Sequence, residues 1–298
     1  MTTIAPPPPA PPAPVTAPPL PPGRRSAVRV LVVVAASILV LAYVVTLGVA
    51  AWRLNALRMS IESKDLPAGM RSLTIDAADA NVRVKVDPQA GAPHVDLRLV
   101  DSTRDDRERM EITSDGDGTR ILLSPDSPSF MDWGRSGEVT VTLPPQLARG
   151  LSVTTQQDDG RVIVDADVDQ LTADSSDGDI VLNGGARRID ITSRDGDVVA
   201  KKPISVTESF NAHTVDGDVL VEFKGAAPRT VEAISRDGDI AIALPSPGPY
   251  LVDSSADSRS IRVPETTDPV RAAAKVTVRT VDGDVLIDTS GAARSGRR

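Results

Sequence analysis

The residues best placed to do chemistry are carboxylates that recur in pairs. Asp-Gly-Asp followed by a β-branched residue occurs five times, at Asp177-Gly178-Asp179-Ile180, Asp195-Gly196-Asp197-Val198, Asp216-Gly217-Asp218-Val219, Asp237-Gly238-Asp239-Ile240 and Asp282-Gly283-Asp284-Val285. Stacked aspartates can bind Ca²⁺, which takes about six to eight oxygens at roughly 2.3–2.6 Å. The candidate ligands are Asp177, Asp179, Asp195, Asp197, Asp216, Asp218, Asp237, Asp239, Asp282 and Asp284. Against this, the turns lack the Gly-Gly-x-Gly-x-Asp pattern of Ca²⁺-binding repeats. Two carboxyls about 5–9.5 Å apart in a cleft can instead hydrolyse a glycosidic bond. A catalytic pair, however, appears once and breaks a repeat, whereas these recur in register. The third reading is turn chemistry: glycine reaches φ > 0 without steric cost and aspartate bonds its own backbone. In that reading Gly178, Gly196, Gly217, Gly238 and Gly283 are the structural turn residues.

The spacing says which elements must carry these corners. Successive first aspartates are 18, 21, 21 and 45 residues apart. The last gap leaves room for an eroded copy near Ser255-Ala256-Asp257-Ser258, and Asp159-Gly160-Arg161-Val162 reads as a degenerate copy upstream. Self-similarity at this period predicts a solenoid, whose units bury their apolar faces against their neighbours. Leading segments such as Leu171-Thr-Ala-Asp-Ser175 and Ile189-Asp-Ile-Thr-Ser193 alternate apolar and polar residues, the period of a half-buried strand. Short apolar runs such as Ile180-Val-Leu182 follow each corner. The expected fold is all-β: a β-solenoid or β-helix-like stack of about seven rungs, roughly 34 Å long at about 4.8 Å per rung. It occupies 151–290, with 70–150 an irregular β-rich N-terminal cap in which His94–Val100 is expected to pair with Ala80–Val86.

The run Val139-Thr-Val-Thr-Leu-Pro-Pro145, then Leu151-Ser-Val-Thr-Thr155, then the serial Gly-Asp-Ile/Val corners resembles the bacterial "putative adhesin" family of unknown function, of the DUF4097 type. The likeness covers about residues 70–290. It implies a membrane-anchored protein with a repetitive extracytoplasmic β domain, and it carries over no catalytic residue.

Residues 1–29 are expected to form a disordered Pro-rich cytoplasmic tail, with 11 prolines in the first 22 positions. Within it Pro19-Leu-Pro-Pro22-Gly-Arg24 matches a ligand pattern for a proline-binding partner. Val30 to Ala51 carries no charge, and 22 such residues form a helix of about 33 Å, enough for a bilayer core of about 30 Å. We therefore expect a transmembrane helix over 30–52, with the bilayer as a partner and Trp52 at the headgroups. Arg24, Arg25 and Arg29 on one flank place the N-terminus in the cytoplasm and the bulk outside. A polar juxtamembrane linker is expected over 53–69, and 291–298 is expected to be a disordered basic tail. Phe130, Met131 and Trp133 cluster in a chain with only 2% aromatic residues. They are a candidate partner contact, or side chains folded over the end of the stack.

The bulk properties narrow the function. A net charge of −8 argues against nucleic acid as a partner, and the absence of cysteine removes disulfides, thiol catalysis and thiolate metal sites. The histidines are His94 and His213, neither with an evident catalytic partner in sequence. No nucleophile elbow, phosphate-binding loop, zinc-protease or dinucleotide motif is present. The reading is a non-catalytic, membrane-anchored extracytoplasmic module without a cofactor, adhesin-like or scaffolding, whose partner is an envelope protein or polysaccharide. The alternatives are an accessory of envelope-stress signalling that uses the Pro-rich tail, and a carbohydrate-active β-helix enzyme.

Overall fold

The computed structural model describes residues 30–46, 58–101, 110–123 and 136–291. The chain divides into two units, Met1–Ala56 and Leu57–Arg298.

In the first unit, residues 30–46 form a helix, α1, exposed along its whole length. At 1.5 Å per residue it spans about 25 Å, short of a bilayer core of about 30 Å. Among the described residues no helix is long and apolar enough to cross a membrane. The rest of the span expected over 30–52 lies outside the described residues.

Among the described residues, the regular structure of the second unit is β apart from one helical turn, α2 (Pro145–Ala148). Its strands are β1 (Arg58–Asp65), β2 (Ser72–Asp76), β3 (Asn81–Val86), β4 (His94–Asp101), β5 (Met110–Asp115), β6 (Gly118–Leu123), β7 (Ser136–Leu143), β8 (Ser152–Asp159), β9 (Val162–Asp165), β10 (Val168–Asp177) and β11 (Ile180–Leu182). They continue with β12 (Ala186–Asp195), β13 (Val198–Ala200), β14 (Val206–His213), β15 (Val219–Glu222), β16 (Thr230–Ile234), β17 (Ile240–Leu244), β18 (Leu251–Ser255), β19 (Ser258–Ile261), β20 (Lys275–Arg279) and β21 (Asp284–Thr289).

Each repeat gives one strand to each of two sheets. The strand before the corner enters a 10-stranded sheet ordered β18-β20-β16-β14-β12-β10-β8-β2-β6-β5. The strand after it enters an 11-stranded sheet ordered β1-β4-β7-β3-β9-β11-β13-β15-β17-β21-β19, called here the short-strand sheet. Pairing through the repeats is parallel and in register: Leu171 lies opposite Val153 and Ile189, and Ile180 opposite Val162 and Val198. Inward positions are branched aliphatics, fully buried at Leu73, Ile75, Val162, Val198, Val219 and Val276. Phe210, Phe223 and Tyr250 are buried in the same core, where Phe210 meets Phe223 edge-on with ring centroids 5.3 Å apart. The hydrophobic core cluster runs from Leu66 to Ile287, wholly inside the second unit, which therefore holds what it needs to fold alone. Where the repeat lengthens from 18 to 21 residues, the β12–β14 pairing shifts register at Ala186/Arg188.

The stacking order departs from the sequence order at both ends. β20 and β21, which carry the fifth corner, pair directly with β16 and β17 of the fourth. The eroded copy, β18 and β19, comes earlier in sequence but lies outermost. Steric fit accounts for this. The corner of β20/β21 passes through Thr280, Val281, Asp282 and Gly283, whereas Ala256 and Asp257 alone join β18 to β19. Only a glycine corner stacks on Gly238, because a Cβ at Gly283 would meet the Gly238 carbonyl at under 3.0 Å.

At the other end β2 and β3 stack in parallel on β8 and β9, and β6 and β7 on β2 and β3. His94–Val100 does not pair with Ala80–Val86: β7 lies between them, and β4 runs antiparallel to β7 and β1. β1 itself falls in the segment expected to be a linker. The Pro-rich tail, the Phe130, Met131 and Trp133 loop, and 292–298 lie outside the described residues.

Candidate functional site

The corners come from the strand pairing upward. Asp159, Asp177, Asp195, Asp216, Asp237 and Asp282 lie opposite one another in a single column. The amides of Gly178, Gly196, Gly217 and Gly238 each donate to the carbonyl of the next level's first aspartate, at 2.8 Å for Gly178 to Asp195 and 3.0 Å for Gly217 to Asp237. Each glycine also sits where a side chain has no room, since a Cβ at Gly178, Gly196, Gly217 or Gly238 would come within 3.0 Å of the preceding glycine carbonyl. Close backbone approach is common to all five corners, and Gly178, Gly196 and Gly283 also hold the positive φ expected of a glycine turn.

The second aspartates form a second column, and their carboxylates are used by the ladder. Asp197 Oδ1 accepts the Asp218 amide at 2.9 Å, Asp218 Oδ1 the Asp239 amide at 2.8 Å, and Asp239 Oδ1 the Asp284 amide at 2.8 Å. Asp179 is bonded instead by the Arg161 guanidinium at 2.8 Å. Asp197, Asp218 and Asp239 thus each cap a backbone amide of the next level with a charge-assisted bond.

The first-aspartate column is electrostatically strained. Hydrogen bonding and repulsion from Asp237 hold the Asp216 carboxyl above the usual range, and Asp282 is raised by the same neighbour. Asp237 is held below it by Arg236, whose Nε is 3.1 Å from Asp237 Oδ2. The structure thus separates the ten predicted aspartates into two columns, one in which Asp216, Asp237 and Asp282 perturb one another and one in which Asp197, Asp218 and Asp239 cap amides. Among the described residues no group of three or more His, Cys, Asp or Glu side chains could hold a metal ion. His213 is exposed, with Nε2 3.4 Å from Glu232.

Sequence reasoning missed three features. The first is a buried hydroxyl two residues before each first aspartate: Ser175, Ser193, Thr214, Ser235 and Thr280, with Gln157 in the same place one level earlier. Ser235 Oγ donates to the Gly217 carbonyl at 3.1 Å and Thr280 Oγ1 to that of Gly238 at 3.0 Å, tying consecutive corners together. The recurring Ser/Thr-x-Asp-Gly pattern was the available signal. The second is an ion-pair cluster in which Arg187 bridges Asp169 at 2.9 Å and Glu208 at 3.0 Å, and Arg188 bonds Glu208 at 2.7 Å. It draws both carboxyls below their usual range, with the Arg187 bond the main cause at Asp169 and the Arg188 bond at Glu208. The third is an aliphatic column on the outer face of the short-strand sheet. Its signal was that the trailing strands are apolar at consecutive positions and so on both faces.

No curated protein matches this sequence significantly. Among solved structures the chain is similar to a "putative adhesin" from Bacteroides fragilis at 13% identity, covering 77% of this chain and 97% of that one with a TM-score of 0.43. A "putative adhesin" from Parabacteroides merdae matches at 10% identity over 78% of this chain and 97% of that one, with a TM-score of 0.41. A "putative lipid binding protein" from Parabacteroides distasonis matches at 10% identity over 76% and 96%, with a TM-score of 0.33. The family model described as Toastrack DUF4097 matches residues 136–288. Those residues hold all five Asp-Gly-Asp corners and most of the levels stacked on them, and the chain belongs to the Toastrack DUF4097 family.

Proposed function

We propose that this protein is a non-catalytic, membrane-anchored β-solenoid of the extracytoplasmic space, working as an adhesin-like or scaffolding interaction module of the envelope. The observation that carries this reading is the repeated duty of the carboxylates. At three successive levels Asp197, Asp218 and Asp239 cap the next level's amide in the same way, whereas hydrolysis needs one pair set apart from the rest. The uncharged run Val30 to Ala51, with arginines before it, supports an anchor over 30–52 and a cytoplasmic N-terminus. The partners in this reading are the bilayer, through that segment, and an envelope protein or polysaccharide.

The test is carbonate extraction of cell membranes followed by protease treatment of intact spheroplasts, with epitope tags at both ends of the full chain. The account expects the chain to stay in the membrane fraction, with the C-terminal tag digested and the N-terminal tag protected. Release by carbonate, or a protected C-terminal tag, contradicts it.

A further inference from the structure

The short-strand sheet carries an aliphatic stripe on its outer face that lies outside the hydrophobic core cluster. Ile163, Val181, Val199, Leu220, Ala241 and Leu286 lie opposite one another in unbroken parallel register. They stand at the positions between the inward core residues, where a solvated sheet carries polar side chains. All but Val181 are partly exposed, and none belongs to the hydrophobic core cluster. The column ends at polar residues on both sides, Arg83 beyond Ile163 and Ser260 beyond Leu286.

Two further observations say what fits there. Ala241 is the smallest member and lies between Leu220 and Leu286, which leaves a groove of about 160 Å³ lined also by Ala243, Glu222 and Asp288. Such a hole takes one large apolar anchor. One residue before the inward position that leads each strand stands the second-aspartate column, so Asp197, Asp218, Asp239 and Asp284 border the stripe. None of these four has an ion-pair partner among the described residues. Their carboxylates face the wrong sign for nucleic acid or an anionic lipid surface.

We propose that this stripe docks a basic amphipathic helix of a partner protein, with its apolar ridge on the Ile163–Leu286 column and its Lys/Arg edge against the aspartate row. The dimensions agree. Levels repeat at about 4.8 Å and helical turns at about 5.4 Å, so six levels span about 24 Å, or about 16 residues of helix. The inference deepens the interaction-module reading by naming its surface and its partner's chemistry, but it depends on neither the anchor nor its orientation.

The test uses residues 57–298, which contain the whole core, and so stays separate from membrane localisation. The probe is a fluorescent 16-residue Leu/Lys amphipathic peptide, with a Leu/Glu peptide of the same pattern as control, read by anisotropy. The expected result is binding of the Leu/Lys peptide alone, weakening as salt rises. Leu220→Lys with Leu286→Lys is expected to weaken it at least about tenfold. Asp197→Asn with Asp218→Asn and Asp239→Asn keeps the amide-capping oxygens, and is expected to flatten the salt dependence. Circular dichroism of each variant reports its folding, and the Asn set decides the matter should the Lys pair unfold. No binding of the Leu/Lys peptide, equal binding of both peptides, or binding indifferent to the Asn set overturns the proposal.

Discussion

Six levels of the stack, β8/β9 through β16/β17 and then β20/β21, each contribute one glycine to a corner and one aliphatic side chain to the outer face of the short-strand sheet. At the corner the backbone is tied inside the chain: glycine amides on aspartate carbonyls, the Asp218, Asp239 and Asp284 amides on aspartate carboxylates, and the Ser235 and Thr280 hydroxyls on glycine carbonyls. The outer column runs through the same levels in the same register, yet its side chains pack on nothing from the core. The corner repeats its residues almost letter for letter, while the face changes from Ile to Val, Leu and Ala. Strict repetition therefore marks what the fold requires of itself, and permitted variation marks the surface left for others.

That contrast can be broken most severely at a glycine. Gly217→Ala puts a Cβ within 3.0 Å of the Gly196 carbonyl in mid-stack, and overpacking backbone against backbone is expected to cost about 3 kcal/mol or more. Urea denaturation of residues 57–298 measures it, and a loss below about 1 kcal/mol would mean the corner column has slack. Next in size, Asp218→Ala removes the acceptor of the Asp239 amide and is expected to cost about 1 kcal/mol, with Asp218→Asn nearer to neutral. Equal losses for the two would assign the effect to charge rather than capping.

A smaller effect tests the first-aspartate column. Because its folded pKa is raised, Asp216 favours the folded state when protonated, and that contribution is lost as pH rises through the raised value. Asp237, with a lowered pKa, contributes in the opposite sense: its stabilisation is present at neutral pH and lost as pH falls through the depressed value. Asp216→Asn is therefore expected to raise the melting temperature slightly at pH 7 and to leave it unchanged at pH 3. A fall at pH 7 would show that the carboxylate is a needed acceptor. Smallest of all, Ala78 holds φ +41° at the corner of β2/β3, where its carbonyl accepts the amides of Asp158 and Asp159. Replacing it by glycine relieves a left-handed alanine at some entropic cost, for a net gain of about 0.5 kcal/mol by denaturation.

Much of the repeat was legible because its signal is local. Asp-Gly after an alternating strand announces a corner, and the 18- and 21-residue gaps announce the stack. The order at its ends was not legible. Nothing in the Ser255-Ala256-Asp257-Ser258 string says that its short turn must lie outermost; that follows from the lack of space beside Gly238. The insertion of β7 between β3 and β4 escaped for a similar reason, since strands equally rich in valine leave their partners to three-dimensional register. At the site, the aspartates were found by type but not by duty, because whether a carboxylate caps an amide or faces another carboxylate depends on which side of Gly it stands. The outer aliphatic column was visible only as excess hydrophobicity in runs such as Val219-Leu-Val221, which a buried strand also shows.

The central claim is that the fold itself uses the paired aspartates. Thermal unfolding of residues 57–298, followed by circular dichroism with about 5 mM CaCl₂ and then with excess chelator, tests it directly, because a ligand of the folded state alone must raise the midpoint. The account predicts one midpoint in both conditions and the same β spectrum. A rise of several degrees in Ca²⁺, abolished by Asp197→Asn with Asp218→Asn, would make the corners metal sites and contradict it.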